Sequence, residues 1–174
     1  MNLTELMLSR RSCRKFTDAK VTESQIEALK QVALCAPTSK NCQSWEFIFV
    51  TDAALIEALS KSKSQGAAFL ASAPLAVVVV GNTARTDVWV EDASIAATFI
   101  QLKAEELGLG SCWVQMRERG TDDGHRATDN IAELLGIPSG YEVECVIAVG
   151  HKLHERSPYE VDKLPTEHIH ENKF

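Results

Sequence analysis

A basic cluster near the start of the chain has the residue types needed to bind an anion. Residues 10–16 read Arg-Arg-Ser-Cys-Arg-Lys-Phe and place four cations and a hydroxyl within six positions. Guanidinium groups donate in a planar fork that fits a phosphate, and the serine adds a short-range donor. Like charges so close together repel one another unless an anion neutralises them. The cluster therefore predicts a phosphate site, while a solvated basic surface turn explains the same residues equally well.

A polar segment further along the chain could contact a polyol or the edge of a heterocycle. Residues 36–45 read Ala-Pro-Thr-Ser-Lys-Asn-Cys-Gln-Ser-Trp, and their hydroxyl and amide groups both donate and accept hydrogen bonds. The segment follows a predicted helix and precedes a predicted strand, so we expect a loop. An ordinary hydrophilic connection beginning at Pro37 accounts for the same composition.

A glycine-containing segment provides a third candidate. Residues 108–115 read Gly-Leu-Gly-Ser-Cys-Trp-Val-Gln, and glycine lets a backbone approach a ligand closely. The spacing fits neither the Walker phosphate loop nor the Gly-x-Gly-x-x-Gly dinucleotide fingerprint, which argues against an NTPase and a Rossmann dehydrogenase. A helix terminator followed by a short strand is the competing interpretation.

Other reactive side chains lack the sequence partners that catalysis or metal binding needs. Ser12 and Ser39 have no histidine nearby, and the five cysteines include no Cys-x-x-Cys pair, so we expect reduced thiols and no metal. Cys35, Cys112 and Cys145 lie among apolar residues and are interpreted as small buried hydrophobes. Adjacent carboxylates and close histidines are interpreted as solvated: Glu91 with Asp92, Glu105 with Glu106, His151 with His154, and His168 with His170.

Length and composition favour one domain spanning residues 1–174. The 174 residues can bury a core, and a net charge of −6 argues against general nucleic-acid binding. No apolar run is long enough to span a bilayer, and no leader segment is visible, so we expect a cytoplasmic protein without membrane contact.

Helix and strand patterns alternate along the chain, which predicts a mixed α and β layer structure. Thr22 and Gln25 form a capping box, Asp52 can cap a second helix, and residues 75–80 resemble a strand buried on both faces. The longest helix, near residues 87–107, carries alanine and serine in its middle, which we attribute to a closely packed partner helix. The polar tail from residue 151 onward has no core of its own and must cover this subunit or another.

Five motifs in this order resemble the nitroreductase superfamily over nearly the whole chain. The first is the Arg-Arg-Ser-x-Arg-x-Phe signature of residues 10–16, and the second is the Ala-Pro-Thr-x-x-Asn-x-Gln-x-Trp loop of residues 36–45. An Ala-Pro-Leu-x-Val-Val-Val strand begins at Ala73, Leu-Gly-Leu-Gly-Ser-Cys-Trp ends at Trp113, and Leu-Gly-Ile-Pro ends at Pro138. Ser44 departs from the family's usual proline, which we expect to loosen the loop.

The resemblance implies an α+β fold with a central mixed or antiparallel sheet of about 4–5 strands between helices. It implies non-covalently bound FMN at the interface of a homodimer, with the C-terminal tail reaching over the partner subunit. It also implies that NADH or NADPH reduces a small organic acceptor, such as a nitroaromatic or a quinone, by a ping-pong route. A cofactor that performs the redox chemistry would account for the missing acid–base set.

The resemblance also assigns cofactor-binding roles to individual residues. Arg10, Arg11, Ser12 and Arg14 would hold the phosphate and ribityl chain, and Lys163 would contact the phosphate. Pro37, Thr38, Ser39 and Asn41 of the partner subunit would line the flavin ring, with Gln65 and Gln115 nearby. Two alternatives remain open, namely a specialised flavin enzyme of the same fold, dehalogenase-like or flavin-consuming, and a flavin-binding protein without turnover.

Overall fold

The computed structural model describes residues 2–174 as a layered α+β protein, and Met1 lies outside the described residues. Four strands form one sheet in the order β1-β2-β4-β3, with every neighbouring pair antiparallel. The strands are β1 (Trp45–Val50), β2 (Leu75–Asn82), β3 (Leu109–Gln115) and β4 (Tyr141–His151). The expected α+β class is confirmed, and the sheet within the described residues is purely antiparallel.

Five α-helices surround the sheet, and their starts follow the capping signals in the sequence. They are α1 (Leu3–Ser9), α2 (Glu23–Leu34), α3 (Ala53–Ser60), α4 (Trp89–Glu106) and α5 (Ala127–Leu135). Thr22 and Gln25 form the predicted capping box of α2, and the Asp52 carboxylate accepts hydrogen bonds from the backbone N–H groups of Ala54 and Leu55. Within residues 2–174, each helix is too short or too polar to span a bilayer.

The core lies on both faces of the sheet, as the valine-rich sequence of β2 predicts. On one face, α2 and α4 pack against Val77 and Val79. On the other face, α3 and α5 pack against Val78 and Val80. Each fully buried aliphatic side chain of this kind stabilises the fold by about 1.5–3 kcal/mol.

Packing explains the small residues of α4 and corrects one expectation about the cysteines. Ala93 and Ala97 of α4 are fully buried against α2 and the sheet of the same chain, so the closely packed helix that these alanines predict is α2. Cys35 is exposed at the end of α2 and is not a buried hydrophobe, whereas Cys112 and Cys145 are buried as expected.

The C-terminal tail lies on the outside of the chain. Residues 153–174 are all exposed, although several of them are large and apolar. The tail contacts α1 where the Tyr159 N–H donates to the Leu8 carbonyl at 2.9 Å. The exposed apolar side chains are Leu153, Tyr159, Val161, Leu164, Ile169 and Phe174.

Candidate functional site

The basic cluster is held on the sheet by backbone hydrogen bonds to two strands. The Cys13 N–H donates to the Ser111 carbonyl of β3 at 2.9 Å, and the Thr17 N–H donates to the His151 carbonyl of β4 at 2.9 Å. The Leu153 N–H in turn donates to the Lys15 carbonyl at 3.1 Å. These contacts bring residues 10–16 against the segment that follows β4, although most of the chain lies between the two segments in sequence.

The two segments enclose a cationic pocket of about 290 Å³. Because the cations converge on a concavity, the basic cluster is more than a solvated surface turn. A pocket lined in this way favours an anionic ligand with phosphate-like oxygens. The lining residues are Ser9, Arg11, Ser12, Cys13, Arg14, Lys15, Lys152, His154, Glu155 and Arg156.

Lys152 is fixed in the wall of this pocket by a buried carboxylate. Its Nζ lies 2.8 Å from Oε1 of Glu105, with side-chain exposures of 13% and 6%. Burial disfavours the charge of Lys152, but the Glu105 and Glu155 carboxylates outweigh that effect and raise its pKa. Lys152 therefore stays charged beside the pocket. The expectation that Glu105 is solvated is wrong, because its side chain faces the protein interior. Adjacent helix positions point apart, so the other member of this carboxylate pair can still face solvent.

Gly110 lets the basic cluster lie directly on β3. A Cβ atom there would be 2.7 Å from both Cβ and Sγ of Cys13 and 2.9 Å from Cγ of Lys152. The close approach predicted at this glycine is therefore made by side chains of the same chain, those of Cys13 and Lys152. Gly108 has φ of +73° just after α4, which confirms its predicted role in ending the helix.

We expect Gly110→Ala to displace the basic cluster. The added methyl group overpacks the contact and should lower the free energy of unfolding by about 1–3 kcal/mol. Cys13 should then be alkylated faster, as measured by peptide mapping after brief iodoacetamide treatment. Gly108→Ala is the control, because its Cβ would meet no atom within 4 Å and would add only backbone strain. Equal Cys13 labelling in both variants would contradict the role given to Gly110.

Arg11 is engaged by the chain's own tail. Its Nη1 donates to the Ser157 carbonyl at 2.7 Å, and its guanidinium lies 4.4 Å from the centre of the Tyr159 ring. Arg11 thus joins the pocket to the tail, a contact that the sequence did not suggest.

Arg10, Ser12 and Arg14 all act on the pKa of the Cys112 thiol. Burial raises the pKa of that thiol, while the positive charge of Arg14, a hydrogen bond with Ser12 and the charge of Arg10 act in the opposite direction. These three predicted phosphate-site residues are therefore close together in space. Cys112 itself is held as the neutral thiol, which argues against a role as a nucleophile.

The polar loop of residues 36–45 lies elsewhere in the chain and is organised by Asp92. The Asp92 carboxylate is only 3% exposed and accepts hydrogen bonds from Ser39 N–H at 2.9 Å and Ser44 Oγ at 3.0 Å. The expectation that Asp92 is solvated is therefore wrong. Ser44, where the family pattern has proline, also ties the loop to α4. The structure therefore holds the loop at the position where we expected it to be loosened.

The remaining predicted residues do not line the cationic pocket. Gln115 accepts from Trp113 Nε1 at 2.8 Å and donates to the Arg117 carbonyl at 3.1 Å, and Gln65 is exposed. Lys163 is 68% exposed and pairs with Glu160 at 2.7 Å. Lys152, His154 and Arg156 line the pocket and have the role that the family resemblance implied for Lys163. Their signal was the run of cations directly after the last strand, at residues 152–156.

A second charged group lies buried near Gln115. Glu144 occupies a bulge of β4, is 4% exposed, and its Oε2 has no hydrogen-bond partner within residues 2–174. Burial raises its pKa, and Gln115 and Arg117 oppose the rise only in part. Arg117 Nε stands 4.0 Å away, beyond hydrogen-bond distance. Within the same described residues, no cluster of three or more potential metal ligands is present.

We expect the Glu144→Gln variant to become more stable relative to the wild type as pH rises. Because the folded-state pKa lies above the unfolded one, the contribution of Glu144 is most favourable below the unfolded pKa and is lost as pH rises through the folded pKa. An unsatisfied buried group costs about 1–3 kcal/mol, so the stability difference between variant and wild type should grow by that amount from about pH 4 to pH 8. Urea unfolding of both proteins at each pH measures this difference in the free energy of unfolding. Glu142→Gln is the control, since Glu142 pairs with Arg126 at 2.9 Å, and an equal pH trend in both variants would contradict the assignment.

The fold and the pocket together define a class: an α+β protein whose N-terminal basic cluster and the segment after β4 form a cationic pocket on an antiparallel sheet. The profile of the Nitroreductase family matches residues 7–151, so the chain belongs to the nitroreductase family.

Three relatives illustrate the similarity. An FMN-dependent nitroreductase of Clostridium difficile R20291 has a TM-score of 0.97 and 43% identity, covering 99% of this chain and 100% of its own. A protein of Archaeoglobus fulgidus, provisionally named NADH dehydrogenase/NAD(P)H nitroreductase, is 32% identical over 98% of this chain and 97% of its own length. The NADPH-flavin oxidoreductase of Vibrio harveyi is 27% identical over 99% and 75%, respectively. The predicted family and its fold are thereby confirmed.

Proposed function

We propose that the chain is an FMN-dependent oxidoreductase that transfers reducing equivalents from NADH or NADPH to a small organic acceptor. The observation that carries this proposal is the cationic pocket built from the family's Arg-Arg-Ser-x-Arg signature and the segment after β4. The names of the relatives from Clostridium difficile and Vibrio harveyi support the choice of cofactor and electron donor. A nitroaromatic or a quinone is the proposed acceptor, reduced by a ping-pong route.

The donor set fits the phosphate end of FMN. A doubly charged phosphate needs several cations and short-range donors, and the pocket supplies Arg14, Lys152, Arg156 and the Ser12 hydroxyl. Lys152 is held by Glu105 at 2.8 Å and by Glu155, which also lines the pocket, at 3.2 Å, so its charge is largely paired and the positive charge left for a phosphate comes from Arg14 and Arg156. Arg10 would add charge beside Ser12, while Arg11 would serve mainly through its hold on the tail.

When bound, FMN would supply the redox chemistry by accepting electrons from the nicotinamide and passing them to the acceptor. The chain's own residues would hold and orient it. Ser39 and Asn41 have side-chain groups that make no hydrogen bond within residues 2–174, so they are free to meet a ligand. Gln115, braced by Trp113 and the Arg117 carbonyl, and Gln65 in the adjoining loop complete the proposed surroundings of the ring.

We further propose that the protein works as a homodimer with the cofactor between the subunits. Pro37, Thr38, Ser39 and Asn41 do not line the cationic pocket of their own chain, which supports their reaching the cofactor of a partner. The exposed apolar side chains of the tail support a partner surface that covers them. The cytoplasmic location and the single-domain organisation expected from the sequence stay predictions.

Spectra of the purified protein test the proposed function. We expect a visible flavin absorption band that NADH or NADPH bleaches under anaerobic conditions and that an added quinone or nitroaromatic restores. Colourless protein that cannot be reconstituted with FMN would refute the proposal. A flavin band that neither nicotinamide bleaches would instead favour the flavin-binding protein without turnover. Stopped-flow mixing with each nicotinamide separately determines which donor is used.

A further inference from the structure

The buried carboxylate of Asp92 holds the polar loop through three donors of one short segment. Oδ1 accepts from the Ser39 N–H at 2.9 Å, and Oδ2 accepts from the Ser44 hydroxyl at 3.0 Å. The thiol of Cys42 also points at Oδ2, with Sγ 3.4 Å away. Asp92 belongs to the first turn of α4, where the helix dipole favours a negative charge. Both oxygens of one fixed carboxylate are therefore used by the loop.

The loop has a shape that its own sequence does not favour. Lys40, Asn41 and Gln43 have φ of 50°, 54° and 48°, in the left-handed region that non-glycine residues seldom adopt. Residues in this conformation are strained and persist only where the surroundings hold them. Here the restraints come from Asp92 and from Arg85, whose Nη1 donates to the carbonyls of Cys42 at 3.2 Å and Gln43 at 3.0 Å.

The restraint leaves the loop's outer groups free. Asp92 takes up the backbone N–H of Ser39, while the Ser39 hydroxyl and the Asn41 side-chain amide make no hydrogen bond within the described part of the chain. A buried carboxylate fixes the inner side of the loop, and the outer side presents donors and acceptors to an external ligand. A binding segment that is already ordered avoids the entropic cost of ordering on binding.

We propose that Asp92 is a positioning residue that presets residues 38–44 for contact with the flavin ring. The inference rests on the proposed function, because that function makes this loop a cofactor contact. Asp92 touches no cofactor in this role. It acts through Ser39 and Ser44, and Ser44 supplies the hydroxyl at the position where the family pattern has proline.

The test compares Asp92→Asn with Asp52→Asn. Both aspartates accept backbone N–H groups at a helix N-terminal turn, but Asp52 caps α3 and contacts no residue of the loop. We expect Asp92→Asn to weaken FMN binding by roughly tenfold or more, measured by titrating FMN fluorescence with flavin-free protein. Trypsin should also cleave the flavin-free variant faster after the exposed Lys40. Asp52→Asn, which keeps a side-chain oxygen that can cap α3, should change neither readout.

The outcomes separate the inference from the proposed function. Wild-type protein that binds no FMN would overturn the proposed function and this role of Asp92 with it. Wild-type protein that binds FMN while Asp92→Asn binds equally tightly, or equal effects of the two asparagine variants, would overturn the inference alone. If Asp92→Asn fails to fold, Ser44→Ala removes one of the three donors, and it should give a smaller rise in both the FMN dissociation constant and the rate of cleavage after Lys40.

Discussion

Replacing Arg14 with alanine should weaken FMN binding by roughly 10- to 150-fold. The estimate follows because a hydrogen bond to a charged group is worth about 1.5–3 kcal/mol and each 1.4 kcal/mol is a factor of about ten in affinity. Arg14 lines the cationic pocket with an exposed guanidinium whose only ring contact within residues 2–174 is to Phe69, 5.8 Å from the ring centre. Its loss should therefore leave the fold intact. Fluorescence titration of FMN with flavin-free protein measures the effect.

Two further variants make the Arg14 result specific. Lys163→Ala removes a cation that is 68% exposed, pairs with Glu160 and does not line the pocket, so FMN affinity should not change. Arg14→Lys keeps the charge but loses the planar fork and should give an intermediate loss. FMN affinity that is unchanged in Arg14→Ala, or that falls equally in Lys163→Ala, would show that the phosphate binds elsewhere. Raising the salt concentration should reduce the difference between Arg14→Ala and wild type, because the ionic contribution is screened.

The helix starts and the buried strand could be predicted from the sequence because each depends on residues that are close neighbours along the chain. The Thr22 and Gln25 capping box, the Asp52 cap and the valine run of β2 all depend on neighbours in sequence, and the structure has each of them. The basic cluster was also recognisable, because its charges are adjacent. What local rules cannot supply is the contact between residues 10–16 and residues 152–156, which depends on how β3 and β4 bring the two segments together.

The buried carboxylates of α4 show a second limit. Because adjacent helix positions point apart, one carboxylate of each adjacent pair on α4 can face the protein while the other faces solvent. Asp92 is four residues before Ala96, and Glu105 follows Ala104, so each stands at the margin of the buried alanine stripe. A carboxylate at that margin is a usable signal for an inward-facing anchor. Its partners could not be named from sequence, because Ser39 and Lys152 lie 53 and 47 residues away along the chain.

Ending the chain at Arg156 should convert a dimeric protein into a monomer at concentrations where the full chain is paired. The removed residues include Val161, Ile169 and Phe174, which are 66%, 74% and 108% exposed in the single chain. Burying each such side chain against a partner would contribute about 1.5–3 kcal/mol, so losing them should raise the dimer dissociation constant by at least roughly 100-fold. Sedimentation velocity over a range of protein concentrations measures the change.

The truncation also removes the Ser157 and Tyr159 contacts of Arg11, so a second variant separates the two effects. Replacing Val161, Ile169 and Phe174 with serine keeps the chain length and the Arg11 contacts but removes the three most exposed apolar side chains of the tail. If the tail covers a partner through that surface, the triple variant should dissociate almost as readily as the truncated chain. Both should also bind FMN more weakly, because the loop of residues 38–44 would no longer reach a second subunit's pocket.

A truncated chain that remains dimeric at the same concentrations, or a full chain that is monomeric throughout, would refute the role given to the tail. A truncated chain that stays dimeric but loses FMN would instead assign residues 157–174 to the pocket of their own subunit, through the contacts of Arg11 with the Ser157 carbonyl and the Tyr159 ring.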